Sequence, residues 1–348
     1  VAESFPGDPA DVDRETVSRR VVVPPELAGR RFDQAAAALL PEFSRSRLKA
    51  WIDSGEMTLG GERVEPKRKV RGGEEIVLEA ELEAAVPLAS EPIPVTVRYS
   101  DDALLIVDKP AGLVVHPGAG NPSGTLQNAL LHLDPSLATL PRAGLIHRLD
   151  KDTSGLLIVA RTLEAQHRLA ARLERREIHR TYRAVCQGVL TGGGTIDAPI
   201  GRHPRDRLRM AIVEGGRPAV TRYRIVERFR AHTFVELKLE TGRTHQIRVH
   251  MASLRTPIVG DPLYGGRPRF PRQPTARLRA ELERFPRQAL HAVRLELEHP
   301  LTDERIVVES PLPADIEALL AALREDAAAA AEASRNARGG PAGPGAGR

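Results

Sequence analysis

Cysteine is nearly absent from the 348 residues; the single one is Cys186. An intrachain disulfide and any cysteine-built zinc or iron–sulfur site are thereby excluded, so apolar packing must hold the fold. Aromatic residues reach only 3%, and lysines number six, which leaves arginine as 45 of the 51 basic residues. No apolar run approaches the roughly 18 residues of a membrane span. The opening VAESFPGDPADVDRETVSRR is acidic and polar, without the apolar stretch of a secretory signal. The expected compartment is the cytoplasm, with no membrane partner. Also missing are GxxxxGK[ST], a GxGxxG after a strand, GxSxG and HExxH. Nucleotide-binding, dinucleotide-binding, α/β-hydrolase and common zinc chemistries lose support accordingly.

What is present is an ordinary globular composition, 41% hydrophobic and 28% charged, on a chain long enough for two or three domains. The net charge is only +5, yet the basic residues cluster. Residues 166–183 carry six Arg against two Glu, 202–209 four Arg against one Asp, and 267–287 seven Arg against two Glu. A planar guanidinium pairs with phosphate, so these local surpluses point to a polyanionic partner, nucleic acid before membrane.

Residues 1–18 lack periodicity and read as a disordered arm. Residues 19–80 then form a small unit. A strand-like run leads into a short helix through Phe32, Ala36 and Leu39 that closes before Pro41, and Ser44 is placed to cap a second helix, SRSRLKAWIDSG. In that helix Leu48, Trp51 and Ile52 share one face while Arg45, Arg47 and Lys49 stay on the surface; Gly55 ends it. Two short strand-like pieces follow. Residues 81–94, rich in Ala and Pro, read as a linker. From 95 to 320 eight strand candidates and three helical patterns mix without a βαβ rhythm, which predicts an α+β fold. Residues 321–348 predict a short Ala-rich helix and a flexible Gly/Pro tail.

Two segments concentrate reactive side chains. In AGLIHRLDKDTSGLLIVAR, His147, Arg148, Asp150, Lys151 and Asp152 crowd between apolar runs, either as a site at the rim of the core or as a charged turn that caps local backbone. In LETGRTHQIRVHM the chain turns at Gly242, placing Arg243, His245 and Arg248 near the turn and Ile247 and Met251 toward the core. By residue pattern alone, Tyr182 is a strand core residue and Arg248 a surface helix residue. Chemistry alone leaves Asp150 and Asp152 as rival carboxylates.

The order RFD, SRSRLKAWIDSG, a Gly60-Gly61 turn and GGEEIVLE resembles the S4 RNA-binding domain. DKPAGLVVHPGAGN, IHRLDKDTSGLL, REIHRTYRAV, GRPAVTRYRI, LETGRTHQIRVHM, PIVGDPLYGG and LHAVRLELEHP follow in one colinear order and resemble the RluA family of pseudouridine synthases. The resemblance implies an α+β protein, with a small S4-like domain followed by a larger catalytic domain on a mixed, antiparallel-rich sheet. It implies an isomerase of RNA uridine that needs no metal, nucleotide or other cofactor. Asp150 would be the catalytic carboxylate, attacking C1′ or abstracting a 2′ proton. Arg248 would pair with it, and Tyr182 would stack on the uracil and serve the final C5 proton step. Arg148 would fill the gap left by a flipped nucleotide. Arg45, Arg47 and Lys49 would contact RNA, with His147, Arg243 and His245 in support. The implied partner is RNA, foremost large-subunit ribosomal RNA or the assembling subunit, met by a monomer. Transfer or messenger RNA, and a non-catalytic ribosome-assembly role, are the alternatives. Arg180, where the family frequently has Lys, and the Arg-rich segment 268–287 depart from its pattern.

Overall fold

The computed structural model describes residues 15–41, 43, 45–82, 89–118, 120–206 and 208–338. Residues 1–14 of the expected arm, the Ser44 cap, 83–88 of the expected linker and the tail beyond 338 lie outside the described residues. The chain divides into two units, Val1–Leu88 and Ala89–Arg348.

In the first unit, β1 (Glu15–Val22), α1 (Phe32–Leu39), α2 (Arg45–Ser54), β2 (Met57–Leu59) and β3 (Glu75–Leu82) form a three-stranded antiparallel sheet, in order β1-β3-β2, with two helices. Leu48, Trp51 and Ile52 bury as their spacing predicts, among Phe32, Ala36, Ile76 and Leu78. Leu59 and Glu62 exchange two backbone hydrogen bonds across Gly60 and Gly61, which stand at φ +61° and +78°. Such a turn needs residues free to adopt positive φ. Strand β1 corrects the sequence boundaries, because residues 15–18 pair with 79–82 of β3. The arm is therefore shorter, and Glu81 and Leu82 leave the linker. Val17, Val21 and Val23 carry this strand's alternation, hidden in the sequence by the charges between them.

The second unit is built of β4 (Thr96–Ser100), β5 (Leu104–Lys109), α3 (Leu126–Leu133), β6 (Ser154–Ala160), α4 (Leu163–Glu174), β7 (His179–Gln187), β8 (Gly194–Asp197), β9 (Ile200–Arg202), β10 (Met210–Ile212), β11 (Val220–Arg228), β12 (His232–Leu239), α5 (Gln246–Ser253), α6 (Ala276–Arg284), β13 (Leu290–Glu298), β14 (Arg305–Glu309) and α7 (Ala314–Arg338). Its main sheet runs β4-β5-β6-β13-β7-β12-β11-β8, with β14 on β13; β9 and β10 pair separately. Only the short β6–β13 contact is parallel. The mixed α+β class is as the sequence indicates, and all eight anticipated strands and three helices form. The short strands β8 to β10 and the helix α6, whose buried residues are Leu278 and Leu282 alone, escaped notice because each shows too little apolar periodicity. No helix among the described residues is long and apolar enough to cross a membrane.

One further expectation is corrected. The terminal helix is not a short appendage after residue 320. It begins at Ala314, runs 25 residues, and buries Ile316, Leu319, Leu320 and Leu323. Part of the arginine surplus is paired within the fold. Arg277 pairs with Glu325 and Arg287 with Asp315 of α7, at 2.7 Å each. Arg172 reaches both Glu298 and Asp303, and Arg183 meets Glu236 at 2.8 Å.

Strand β6 approaches β13 so closely that a Cβ on Gly155, at φ +115°, would lie 2.6 Å from the amide nitrogen of Ala292. Gly155→Ala is expected to cost at least about 3 kcal/mol in urea unfolding, combining left-handed strain with a backbone clash. His291 on β13 links Ser154 Oγ, 2.9 Å from Nδ1, to Ser310 Oγ, 3.1 Å from Nε2. Ser310 Oγ donates to Asp108, so it accepts from Nε2–H and leaves Nδ1 to accept from Ser154. Burial lowers the pKa of His291 and of His232 to about 4 each. Unfolded imidazoles titrate near 6.5, so on acidification the unfolded chain binds protons first. Unfolding free energy should therefore drop as pH falls from about 6.5 to 4, by up to about 3 kcal/mol per histidine. Replacing both histidines by Gln should flatten that slope in denaturant titrations.

Candidate active site

The turn that leads into β6 is held from several sides. Ile146 N–H donates to Ile158 O at 3.2 Å, and Thr153 N–H closes a turn on Asp150 O at 3.1 Å. Lys109, fully buried at the end of β5, donates its three Nζ protons to the carbonyls of Pro110, Leu113 and Lys151 at 2.8–2.9 Å. Gly112 N–H reaches the same Lys151 carbonyl at 3.0 Å. Gln288 holds Thr153 Oγ1 at 2.9 Å, and Arg287 donates to Asp152 O at 3.1 Å. A turn with its carbonyls committed in this way fixes where the Asp150 side chain points.

The second turn, between β12 and α5, is locked by Gln246. Its Oε1 accepts from Thr241 Oγ1 and Arg243 N at 2.8 and 3.0 Å, while its Nε2 donates to Val220 O and Thr221 Oγ1. His245 takes a left-handed conformation, φ 56°, immediately before α5. One turn on, Arg248 is only 4% exposed, which corrects the surface position that helical pattern alone assigns it. Residues Gln246 to Met251 are all buried, so α5 has no solvent face in this stretch.

Arg248 lies between two carboxylates. Nε and Nη2 bond Asp261 at 2.7 and 2.9 Å, and Nη1 bonds Asp150 Oδ2 at 3.1 Å. Asp261 is buried and also accepts the amides of Leu263 and Tyr264. A fork fixed by one buried acid is presented to the other as a preset donor. Both acids favour the charged guanidinium and raise its pKa against the opposing effect of burial. The Tyr264 ring packs 5.2 Å from the Arg248 guanidinium and 5.1 Å from that of Arg209. Its Oη accepts from Met210 N–H at 2.8 Å and stands 2.9 Å from His245 Nδ1. When Tyr264 donates to Nδ1, the proton of His245 sits on Nε2, 4.0 Å from Asp150 Oδ1. That tautomer avoids facing a lone pair at the carboxylate. Burial lowers the His245 pKa, and Asp150 pulls it the other way.

Asp150, His245 and Arg248 line a cleft of about 720 Å³ that also takes in Arg148, Tyr182 and Arg243, while Asp261 and Tyr264 stand behind it. The structure thus brings together Asp150, Tyr182, Arg248, Arg148, His147, Arg243 and His245 from three separate segments. Asp152 does not line the cleft. Tyr182 is 4% exposed, and burial raises its phenol pKa, so it stands there as a neutral ring. His147 accepts from Ile158 N–H at Nε2, and burial holds it neutral. Arg142, Arg176, Arg180 and Arg217 add positive charge to a rim whose further acids are Glu174 and Glu240. Arg45, Arg47 and Lys49 belong to α2 of the first unit. There Lys49 pairs with Asp53, Arg45 lies 3.6 Å from Asp33, and Arg47 sits over the Trp51 ring at 5.7 Å.

Sequence reasoning passed over Asp261 and Tyr264. Their segment, PIVGDPLYGG, was available, and an Asp between apolar residues and Pro was its signal. Nothing in the spacing tied it to Arg248, thirteen residues earlier.

Residues 103–253 match the family described as RNA pseudouridylate synthase. Over 317 residues the chain is 59% identical to ribosomal large subunit pseudouridine synthase D of Xanthomonas campestris pv. campestris, covering 91% of this chain and 96% of that relative. A relative of the same name from Xylella fastidiosa is 55% identical over 311 residues, covering 89% and 94%. Among solved structures, human RNA pseudouridylate synthase domain containing 4 shares 27% identity with a TM-score of 0.52, over 66% of this chain and 92% of that one. With nearly the whole length shared at such identity, the chain belongs to the RluA-type RNA pseudouridylate synthases.

Proposed function

We propose that this pseudouridine synthase acts on uridines of large-subunit ribosomal RNA and that Asp150 is its catalytic carboxylate. The observation that carries the reading is the Asp150–Arg248 contact at 3.1 Å in an arginine-lined cleft. The names of the relatives supply the choice of RNA. Breaking the N1–C1′ bond, turning the base and joining C5 to C1′ conserves every atom. The C5 proton leaves and N1 gains one, so no oxidant or energy source enters. Asp150 either attacks C1′ to give a glycosyl ester or takes the 2′ proton to give a glycal. In both routes Arg248 orients the carboxylate, and Tyr182 offers its ring to the base. Arg148, exposed at the cleft, is placed to fill the space of an extruded nucleotide.

The first unit, two helices on a three-stranded sheet, supports an S4-like RNA-binding role. Arg45 and Lys49 are more than half exposed. The exposed Lys49–Asp53 pair is weak, and Asp33 beside Arg45 is already held by two bonds from Arg31, which leaves both cations able to meet phosphate. The enzyme is read as a cytoplasmic monomer that needs no cofactor.

Asp150→Asn should lower isomerisation by more than about 10⁴-fold while RNA binding persists, whereas Asp152→Asn should stay within about tenfold of the parent. Pseudouridine mapping of ribosomal RNA from cells that express each variant in place of the parent makes the comparison. Modification by the Asp150 variant would refute the assignment. Arg45→Glu combined with Lys49→Glu should weaken binding to structured ribosomal RNA and reduce the log–log salt slope by about 1.5 to 2. Saturating turnover should be unaffected. Filter binding at several salt concentrations reads this, and an unchanged slope would remove α2 from the interface.

A further inference from the structure

Arg180 is a largely buried cleft cation that meets no acid among the described residues. It is 7% exposed, and its side chain forms no ion pair or hydrogen bond with the described residues. Its Nε is sealed from solvent without a partner. Gly242 leaves room for it, since a Cβ there would come within 2.8 Å of Nη1. Buried guanidinium groups in this protein otherwise meet acids, as Arg248 meets Asp261 and Arg287 meets Asp315. Only Nε is sealed, and the rest of the guanidinium borders the cleft, but a charge so largely withdrawn from water carries a desolvation cost that no counter-ion here offsets.

The chemistry supplies what is missing. Asp150, Arg248 and Asp261 together carry one net negative charge. When the N1–C1′ bond breaks, the bonding pair leaves with N1 and the base becomes an anion spread over N1, O2 and O4. By either route the negative charge has then left Asp150, as an ester or as a protonated acid, and sits on the uracil. Arg248 stays with the carboxylates and cannot follow. Arg180 lies two residues before Tyr182 on β7, so both side chains project from the same face of the sheet. Electrostatically Arg180 acts on Tyr182, the ring proposed to stack on the base, and on the neighbouring His147.

Resting on the reading of Asp150 and Tyr182 given above, we propose that Arg180 is the counter-ion of the departing uracil anion. It is the buried donor that stabilises base cleavage and, later, holds the free base while it turns to offer C5. The same feature explains why the acid partner is missing: a carboxylate beside Arg180 would cancel the charge that the anion needs.

The test uses the full-length protein and a ribosomal RNA transcript with either uridine or 5-fluorouridine at the modified position. Fluorine makes the uracil a less basic leaving group, which therefore needs less help. Arg180→Met keeps the length and removes the charge. Its single-turnover rate of N1–C1′ cleavage should fall about 100-fold with uridine but only about tenfold with 5-fluorouridine. Arg180→Lys should regain part of the rate, and the melting temperature of Arg180→Met should be no lower than the parent's. Equal losses on the two RNAs, with weakened binding, would show a phosphate anchor and overturn the proposal. Equal losses with a lowered melting temperature would show a structural role and overturn it too. If the unmodified protein converts no uridine, the proposed function itself fails and takes this inference with it; if it converts uridine and the two losses match, only the role of Arg180 falls.

Discussion

Much of the second unit is arranged around one guanidinium. Arg248 is buried on a helix with no solvent face over that stretch, and it can be there only because Asp261 meets two of its nitrogens and Asp150 a third. Removing one partner of such a buried pair typically costs about 3–5 kcal/mol. The arrangement is therefore also a geometric device. Asp261 fixes the fork and orders the amides of Leu263 and Tyr264. Lys109 fixes the opposing turn through the Lys151 carbonyl. The Asp150 carboxylate is set between these two supports, oriented but not neutralised, because the arginine that holds it already answers another acid.

The same logic governs the use of arginine across the unit. A chain with 45 arginines and a net charge of +5 has to decide where positive charge is kept and where it is cancelled. On α4, α6 and β7 most guanidinium groups meet Glu or Asp within the fold, as Arg168 does Glu164 and Arg277 does Glu325. In the cleft Arg180 has no acid partner, and Arg148 and Arg217 form no ion pair among the described residues. The cleft thus keeps positive charge that no neighbouring acid cancels.

This distinction also marks what the sequence could and could not convey. Apolar runs and period-2 and period-3.6 patterns identify the large strands and the helices α1 to α5, because each buries regularly spaced apolar side chains. Motif order brought Asp150, Tyr182 and Arg248 to notice. The Arg-rich segment around α6 looked like an RNA-binding surface, since nothing local shows that Glu325 and Asp315, some 30 to 50 residues downstream, face it. Strand β1 was cut short because Arg19 and Arg20 interrupt the valines. Asp261 and Tyr264 were missed for the same reason: their meaning lies in a contact with α5, and a contact across the fold leaves no spacing to read.

The dependence of the chemistry on the Arg248 bridge is tested most directly by tritium release from ribosomal RNA labelled at C5 of uridine, comparing the unmodified protein with Asp261→Asn and adding no cofactor. The unmodified protein should release tritium to solvent in step with pseudouridine formed. Asp261→Asn, which never touches the RNA, should release it about ten- to a hundredfold more slowly because Arg248 loses its anchor. Retention of all tritium by RNA bound to the unmodified protein, or an undiminished rate with Asp261→Asn, would contradict the claim that this bridge positions the catalytic carboxylate.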